Sequence, residues 1–350
     1  MRRGEIVRSA ILLAAGWTLG NYSRLAVHHE PPIGLARHPP PPPQPPEGAP
    51  RRREYGNATL PGVAATVVGP RGRPALIAAQ LAIVSAALPS TWIGVDVYYR
   101  PGEAATPAVR ALRRAADLRD RVTAVALAAP LDALPQRSLL LRAEFWRRMR
   151  APRILWFEAG AAVLCASAPL SLDAPLFAPY DWVGAPWLWA KAGTPHASGG
   201  NGALSLRSRD AIVALFDDAG VEPRDKGNED MWFVKALAAA GELPSLGGRA
   251  ARLAPRAVSA RFAVEEGYDR DATGDAPVGV YHLMRTMPYA NRSTLLDRCP
   301  EARILFRANH DPRCEIACPR DRTLLERPLR VWKAACPADA AACALTPGAK

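Results

Sequence analysis

The sequence predicts an α/β domain built on a largely parallel sheet, and three observations carry that prediction. Short apolar runs of strand length alternate with helical patterns of about a dozen residues between positions 64 and 158, which implies crossover units. Hydrophobic residues make up 49% of the 350 residues and charged residues 22%, enough apolar surface for a core and too much for global disorder. No G-x-G-x-x-G follows the first strand and no P-loop occurs, so dinucleotide-binding and P-loop enzymes are set aside.

The chain opens on a segment that does not read as globular. Arg2, Arg3 and Arg8 precede an uncharged stretch at 9–23, short of the ~20 residues of a span unless Leu25–Val27 is included. A signal-anchor and a cleaved signal peptide both fit residues 1–30, and so does an organelle-targeting leader. Pro39–Pro43 with Pro45 and Pro46 then favour an extended polyproline II stem over residues 31–54. This is the layout of a single-pass type II enzyme of the Golgi or endoplasmic reticulum; a secreted protein is the alternative. Sequons at Asn57 and Asn291 permit glycosylation there.

The globular domain is expected over residues 55–290. Residues 64–68 (AATVV) read as a buried strand, followed by a helix at 73–88 with Ile77, Leu81, Val84 and Leu88 on one face. Strands are expected at 92–99, 122–127 and 153–158, and helices at 106–118 and 134–149. Ligands bind such sheets at the carboxyl ends of the strands. From Cys165 onward prolines break helices, and two unusual blocks appear, YDWVGAPW at 180–187 and SGGNGALSLR at 198–207. Glycines around Asn201 allow a close backbone approach to a ligand, or simply a tight turn before a strand. Ser208 caps one helix and Asn228 another, which opens on Glu229-Asp230. Acids in a first turn complement the helix dipole; they are also the paired carboxylates that general-base chemistry uses.

The order of these blocks resembles the glycosyltransferase-like family catalogued as domain of unknown function 5672, with RFAVE at 261–265 and GVYH at 279–282 similar to its closing segments. The family is similar to nucleotide-sugar transferases of the GT-A type. The resemblance implies a GT-A-like single domain plus a Cys-containing C-terminal tail, a nucleotide sugar as donor, and a glycan, protein or lipid acceptor. It places Glu158, Asp181, Gly184, Trp187, Gly200, Asn201, Gly202 and Arg207 around the donor, Asp230 or Glu229 as base, and His282 near the diphosphate or a metal. Relatives carry an Asp after the fourth strand that resembles the acid holding Mn2+ or Mg2+. Here the run is Phe157-Glu158-Ala159-Gly160, with no Asp and no D-x-D nearby. Three readings follow: Glu158 or another group holds the metal, Arg or Lys replaces it, or the chain is a catalytically inactive binding or scaffold protein.

Five of the six cysteines (Cys299, Cys314, Cys318, Cys336, Cys343) crowd the extension at 291–350. Their spacing is no standard zinc pattern, so disulfides are expected in a secretory compartment. Five cannot all pair among themselves; the odd one is free, pairs with Cys165, or bridges chains. Cys165 itself reads as a small buried residue. The net charge of +12 is carried mostly by Arg, without a basic block in the folded part or a nucleic-acid signature, and no nucleic-acid partner is expected.

Overall fold

The computed structural model describes residues 61–69, 73–117, 120–219, 228–265, 268, 276–281 and 289–305. A six-stranded sheet runs through the centre. Its strands are β1 (Gly62–Val67), β2 (Gly94–Tyr99), β3 (Val122–Ala126), β4 (Arg153–Phe157), β6 (Trp182–Ala185) and β7 (Asn201–Ser208), in the order β3-β2-β1-β4-β7-β6. β1, β2, β3 and β4 are mutually parallel, while β7 runs antiparallel to both β4 and β6. The chain moves outward from β1 through β2 and β3, then crosses back to place β4 on the other side. The switch in direction therefore falls between β1 and β4.

The expected strands and the first two helices form within a few residues of their sequence limits. β1 is buried along its whole length, which is why GVAATV is apolar on both faces. α1 (Pro74–Ala87) starts with proline in its first turn, and α2 (Pro107–Asp117) follows β2. Ile77, Leu81, Val84, Ala108 and Leu112 cover one face of the sheet.

The single helix expected at 134–149 is instead two short ones, α3 (Gln136–Leu140) and α4 (Ala143–Arg147). Arg142 between them is extended, at φ −116° and ψ 122°. Leu139, Leu140 and Leu141 are all buried, as are Phe145 and Trp146. One straight helix cannot turn three consecutive residues toward a single layer, so the break is what lets all five reach the core. Trp146 Nε1 donates to the Leu140 carbonyl across it, at 2.6 Å. These helices share the second face of the sheet with α5 (Arg209–Asp218) and α6 (Glu229–Ala239), through Ile212, Leu215, Phe233 and Val234. The expected cap at Ser208 forms, its side chain accepting from Ala211 N.

A smaller sheet stands beside the main one, in the order β10 (Ala263–Val264), β11 (Gly279–Tyr281), β5 (Ala162–Leu164). Helix α7 (Arg256–Phe262) leads into β10, and helix α8 (Tyr289–Arg298) packs over the small sheet through Leu295 and Cys299. Cys165 is buried, as expected, and is also half of a disulfide with Cys299, 134 positions away. Of the fates open to the odd cysteine, pairing with Cys165 is the one present. Cys314, Cys318, Cys336, Cys343, His282, Asn57 and the whole stem lie outside the described residues; Asn291 falls in α8 with its side chain outside them. No helix among the described residues is long and apolar enough to cross a membrane.

The outermost strand, β6, does not end the sheet bare. The segment 252–254, which follows the short hairpin of β8 (Glu242–Leu243) and β9 (Arg249–Ala250), meets its start at Trp182. Asp181 N donates to the Arg252 carbonyl at 2.7 Å, and Ala254 N to the Trp182 carbonyl at 3.0 Å. Trp182 and Leu253 form a parallel bridge.

Candidate functional site at the carboxyl end of β4

Open α/β sheets bind ligands beyond the carboxyl ends of the strands, where the strand order reverses. Here that place is the end of β4. Glu158 N donates to the Ala203 carbonyl at 2.7 Å, so the β4–β7 ladder runs one residue past the strand. By the two-residue alternation, Glu158 lies on the face of Ile154 and Trp156, the face that carries α6. The chain then turns through Gly160, at φ +77°. Gln80 braces the turn from α1. Its Nε2 donates to the carbonyls of Glu158 and Ala162, and its Oε1 accepts from Gly160 N at 2.8 Å. Sequence reading passed over Gln80, although a glutamine inside an apolar helix face must have partners, which was the available signal.

Tyr281, the last residue of β11, donates its hydroxyl to Glu158 Oε2 at 2.8 Å. Burial pushes the Tyr281 hydroxyl far above its ordinary range, and the charges of Glu158, Glu265 and Asp230 push the same way. Tyr281 therefore stays protonated as a donor.

The α6 acids arrive from the other side. Asn228 occupies the expected cap position, but its side chain makes no capping bond. Asp230 is buried, with Oδ1 accepting from Met231 N at 2.7 Å and Oδ2 from Gly202 N at 2.9 Å. It ties the helix start to β7. Glu229 keeps its proton at higher pH than an ordinary glutamate: burial is the largest cause, the Asp230 charge adds to it, and Glu158 adds further, against the opposing Arg207 charge. The electrostatics of Glu229 thus link Glu158, Asp230 and Arg207 in one neighbourhood.

Arg207 pairs with Trp182 on β6 and Ile154 on β4, well down the strands, yet its side chain runs back along the sheet. Nη2 donates to the Gly202 carbonyl and Nε to Ser205 Oγ, each at 2.7 Å. The guanidinium lies 4.1 Å from the Trp182 ring centroid, with Trp146, Trp156 and Phe233 around it. Burial lowers its pKa to about 10, with Glu229 and Asp230 opposing, so it remains a cation at neutral pH. Its Nη1 is buried and makes no hydrogen bond among the described residues.

The expected glycines lie at the same end, and the space they leave is filled by the protein. A Cβ on Gly184 would stand 2.0 Å from the Asn201 carbonyl oxygen, and one on Gly202 would stand 2.5 Å from Asp230 Cβ. Gly200, at φ +81°, faces the Ala185 carbonyl. Asn201 Oδ1 accepts from Ala203 N at 2.7 Å. Trp187 lies tilted against Trp189 and edge-on to His196, beside Gly200. Asp181 alone is apart. It precedes β6 at the opposite end of the sheet, held by both terminal nitrogens of Arg249 at 2.6 and 2.9 Å and by Arg252 N at 2.9 Å. Among the described residues, no three of His, Cys, Asp and Glu converge as a metal cage. Glu158 has one carboxylate oxygen on Tyr281, so the described side chains by themselves do not fit a resident Mn2+ or Mg2+.

The fold and this end of it define an α/β domain whose strand ends meet acids at a switch in sheet direction. Residues 134–282 match the model of a family described as Protein of unknown function (DUF5672), the family that the sequence blocks resemble. Twenty-four chains of solved structures match. One is the mannosyltransferase PcManGT from Pyrobaculum calidifontis, in complex with GDP-Man and Mn2+, at 13% identity and a TM-score of 0.37, covering 73% of this chain and 67% of that one. No curated protein matches.

Proposed function

We propose that this chain is a glycosyltransferase that binds a nucleotide sugar across the β1–β4 switch and transfers the sugar to an acceptor hydroxyl. The observation that carries the proposal is the acidic neighbourhood beyond β4, where Asp230 holds Gly202 N and the charges of Asp230 and Glu158 both act on Glu229. Glu229 is the base. Asp230 has both oxygens engaged by backbone N–H groups, whereas burial, the Asp230 charge and the Glu158 charge raise the proton affinity of Glu229, the direction in which a general base is tuned. In an inverting displacement the acceptor oxygen attacks the anomeric carbon while Glu229 takes its proton. The bond from that carbon to the diphosphate oxygen breaks, and its electron pair leaves on the diphosphate. A divalent cation would neutralise that leaving charge if one is recruited with the donor. Asp230 positions the helix start against Gly202, and Gln80 holds the strand-end turn.

A membrane-anchored or secreted setting in the secretory pathway is part of this reading. It is supported by the Cys165–Cys299 disulfide, since such bonds persist in oxidising compartments.

The test is a thermal-shift screen of nucleotide sugars with and without Mn2+, followed by turnover of Glu229→Gln. The amide removes proton acceptance at constant shape. Turnover is expected to fall about 10²–10⁴-fold with donor binding unchanged. Activity of the parent should fall as pH drops through the raised Glu229 pKa, and Glu229→Gln should lose that limb. Turnover retained in Glu229→Gln refutes the assignment of the base. The engagement of Asp230 and Glu158 in internal hydrogen bonds favours one other reading, a nucleotide-sugar-binding protein without catalysis; it predicts donor-induced stabilisation with no turnover in any acceptor mixture.

A further inference from the structure

Beside Gly200, at the same end of the sheet, a cavity of about 160 Å3 opens among Trp187, Ala190, His196, Ser198, Gly200 and Arg256. We infer that it is a sugar subsite, accepting one pyranose ring of a glycan acceptor against the Trp187–Trp189–His196 aromatic group. The inference rests on the transferase reading for the word acceptor, though not for the binding of sugar.

Four observations support it. The volume is below the ~300–1,000 Å3 of pockets that hold drug-sized ligands, so a nucleotide sugar does not fit and a single ring does. The walls combine aromatic rings, Trp187 and His196 at 5.4 Å between centroids, with the polar groups of Ser198 and Arg256, and Trp189 backs both rings at 5.7 and 5.5 Å. A pyranose has this same division, an apolar face of C–H groups and a rim of hydroxyls. His196 lines the cavity, and its buried Nε2 makes no hydrogen bond among the described residues. Finally, Leu188 and Trp189 are 43% and 52% exposed, two of only three large hydrophobic side chains so exposed among the described residues. Trp189 packs beside two of the lining rings, Trp187 and His196, so an exposed aromatic surface continues outward from the cavity wall.

Location ties the subsite to the acids. The 3-10 turn Pro195–Ala197, which carries His196, packs against α6, the helix that begins with Glu229 and Asp230. The next residues are equally close: a Cβ on Gly199 would stand 3.0 Å from Val234 of α6. A ring held between Trp187 and His196 is thus next to the helix that begins with the proposed base.

The test uses the full chain and methyl glycosides of glucose, galactose, mannose and N-acetylglucosamine, read by tryptophan fluorescence and saturation-transfer NMR, with octanol as the apolar control. At least one glycoside is expected to bind saturably, and Trp189→Ala and His196→Ala each to weaken it about tenfold. Trp189 is exposed, so its removal leaves folding intact. Stabilisation by nucleotide sugars should be the same in Trp189→Ala and the parent. Failure of all four glycosides while a nucleotide sugar binds overturns the subsite and leaves the transferase reading standing. Glycoside binding without any nucleotide-sugar binding does the reverse. Octanol binding as tightly as the glycosides, or a Trp189→Ala variant that binds like the parent, overturns the sugar assignment.

Discussion

Replacing Asp230 by asparagine should destabilise the fold far more than it slows any chemistry. The carboxylate accepts two backbone N–H groups, from Gly202 and from Met231, at 2.9 and 2.7 Å, and is 5% exposed. Asparagine has one carbonyl oxygen. Whichever way its amide turns, an NH2 faces one of those N–H donors, and a buried donor loses its partner. A hydrogen bond to a charged group contributes about 1.5–3 kcal/mol, and the negative charge at the start of a helix about 0.3–1 kcal/mol more. The loss of charge also leaves Arg207 with less compensation in its aromatic cage. The expected destabilisation is about 2–4 kcal/mol, or about 5–15 °C in melting temperature for a domain of this size. Urea titration of parent and variant should show the midpoint falling at unchanged slope. Residual turnover, normalised to folded protein, should drop much less than in Glu229→Gln. A variant that melts within a degree of the parent while losing turnover by several orders of magnitude would refute the structural role and return the base to Asp230.

Gly184→Ala should cost at least the upper end of the ~1–3 kcal/mol typical of overpacking, because the added carbon meets the Asn201 backbone oxygen at 2.0 Å and not a flexible side chain; denaturant titration with a loss under 0.5 kcal/mol would contradict this. Reduction of the Cys165–Cys299 disulfide, which spans 134 positions, should remove about 2–5 kcal/mol, and the Cys165→Ala/Cys299→Ala protein should melt where the reduced parent does. An unchanged melting temperature after thiol counting confirms reduction would show that the bond constrains little.

The main sheet was legible because its strands and first helices are local patterns: AATVV, the Ile77–Leu81–Val84 ridge and the Ser208 cap each need only neighbouring residues to be read. The α3–α4 break was not. It arises because Leu139–Leu141 and Phe145-Trp146 must all reach one layer, a requirement set by the sheet opposite. The candidate site was legible in part. The Glu229-Asp230 pair and the glycine block stood out as types and spacings, and they do come together. What separates the two acids is a contact to Gly202, 28 positions earlier, which no local pattern contains. The partners of Tyr281 and Gln80 were not legible for the same reason, since each meets Glu158 from a distant part of the chain, although a glutamine on an apolar helix face signalled that some partner existed. Asp181 shared a block with Gly184 and Trp187, but a strand separates its ends, and its partner Arg249 holds it at the wrong one.

The backbone that residues 252–254 set against Trp182 has a consequence for how copies of this protein meet. A strand edge with unpaired N–H and C=O groups is a template for another chain, and growth into a filament needs two such edges per molecule. Here the β6 edge meets the protein's own backbone at Trp182, so among the described residues β3 is the terminal strand of the main sheet with no backbone pairing beyond it. An edge covered on one side removes one of the two that filament growth through this sheet would require.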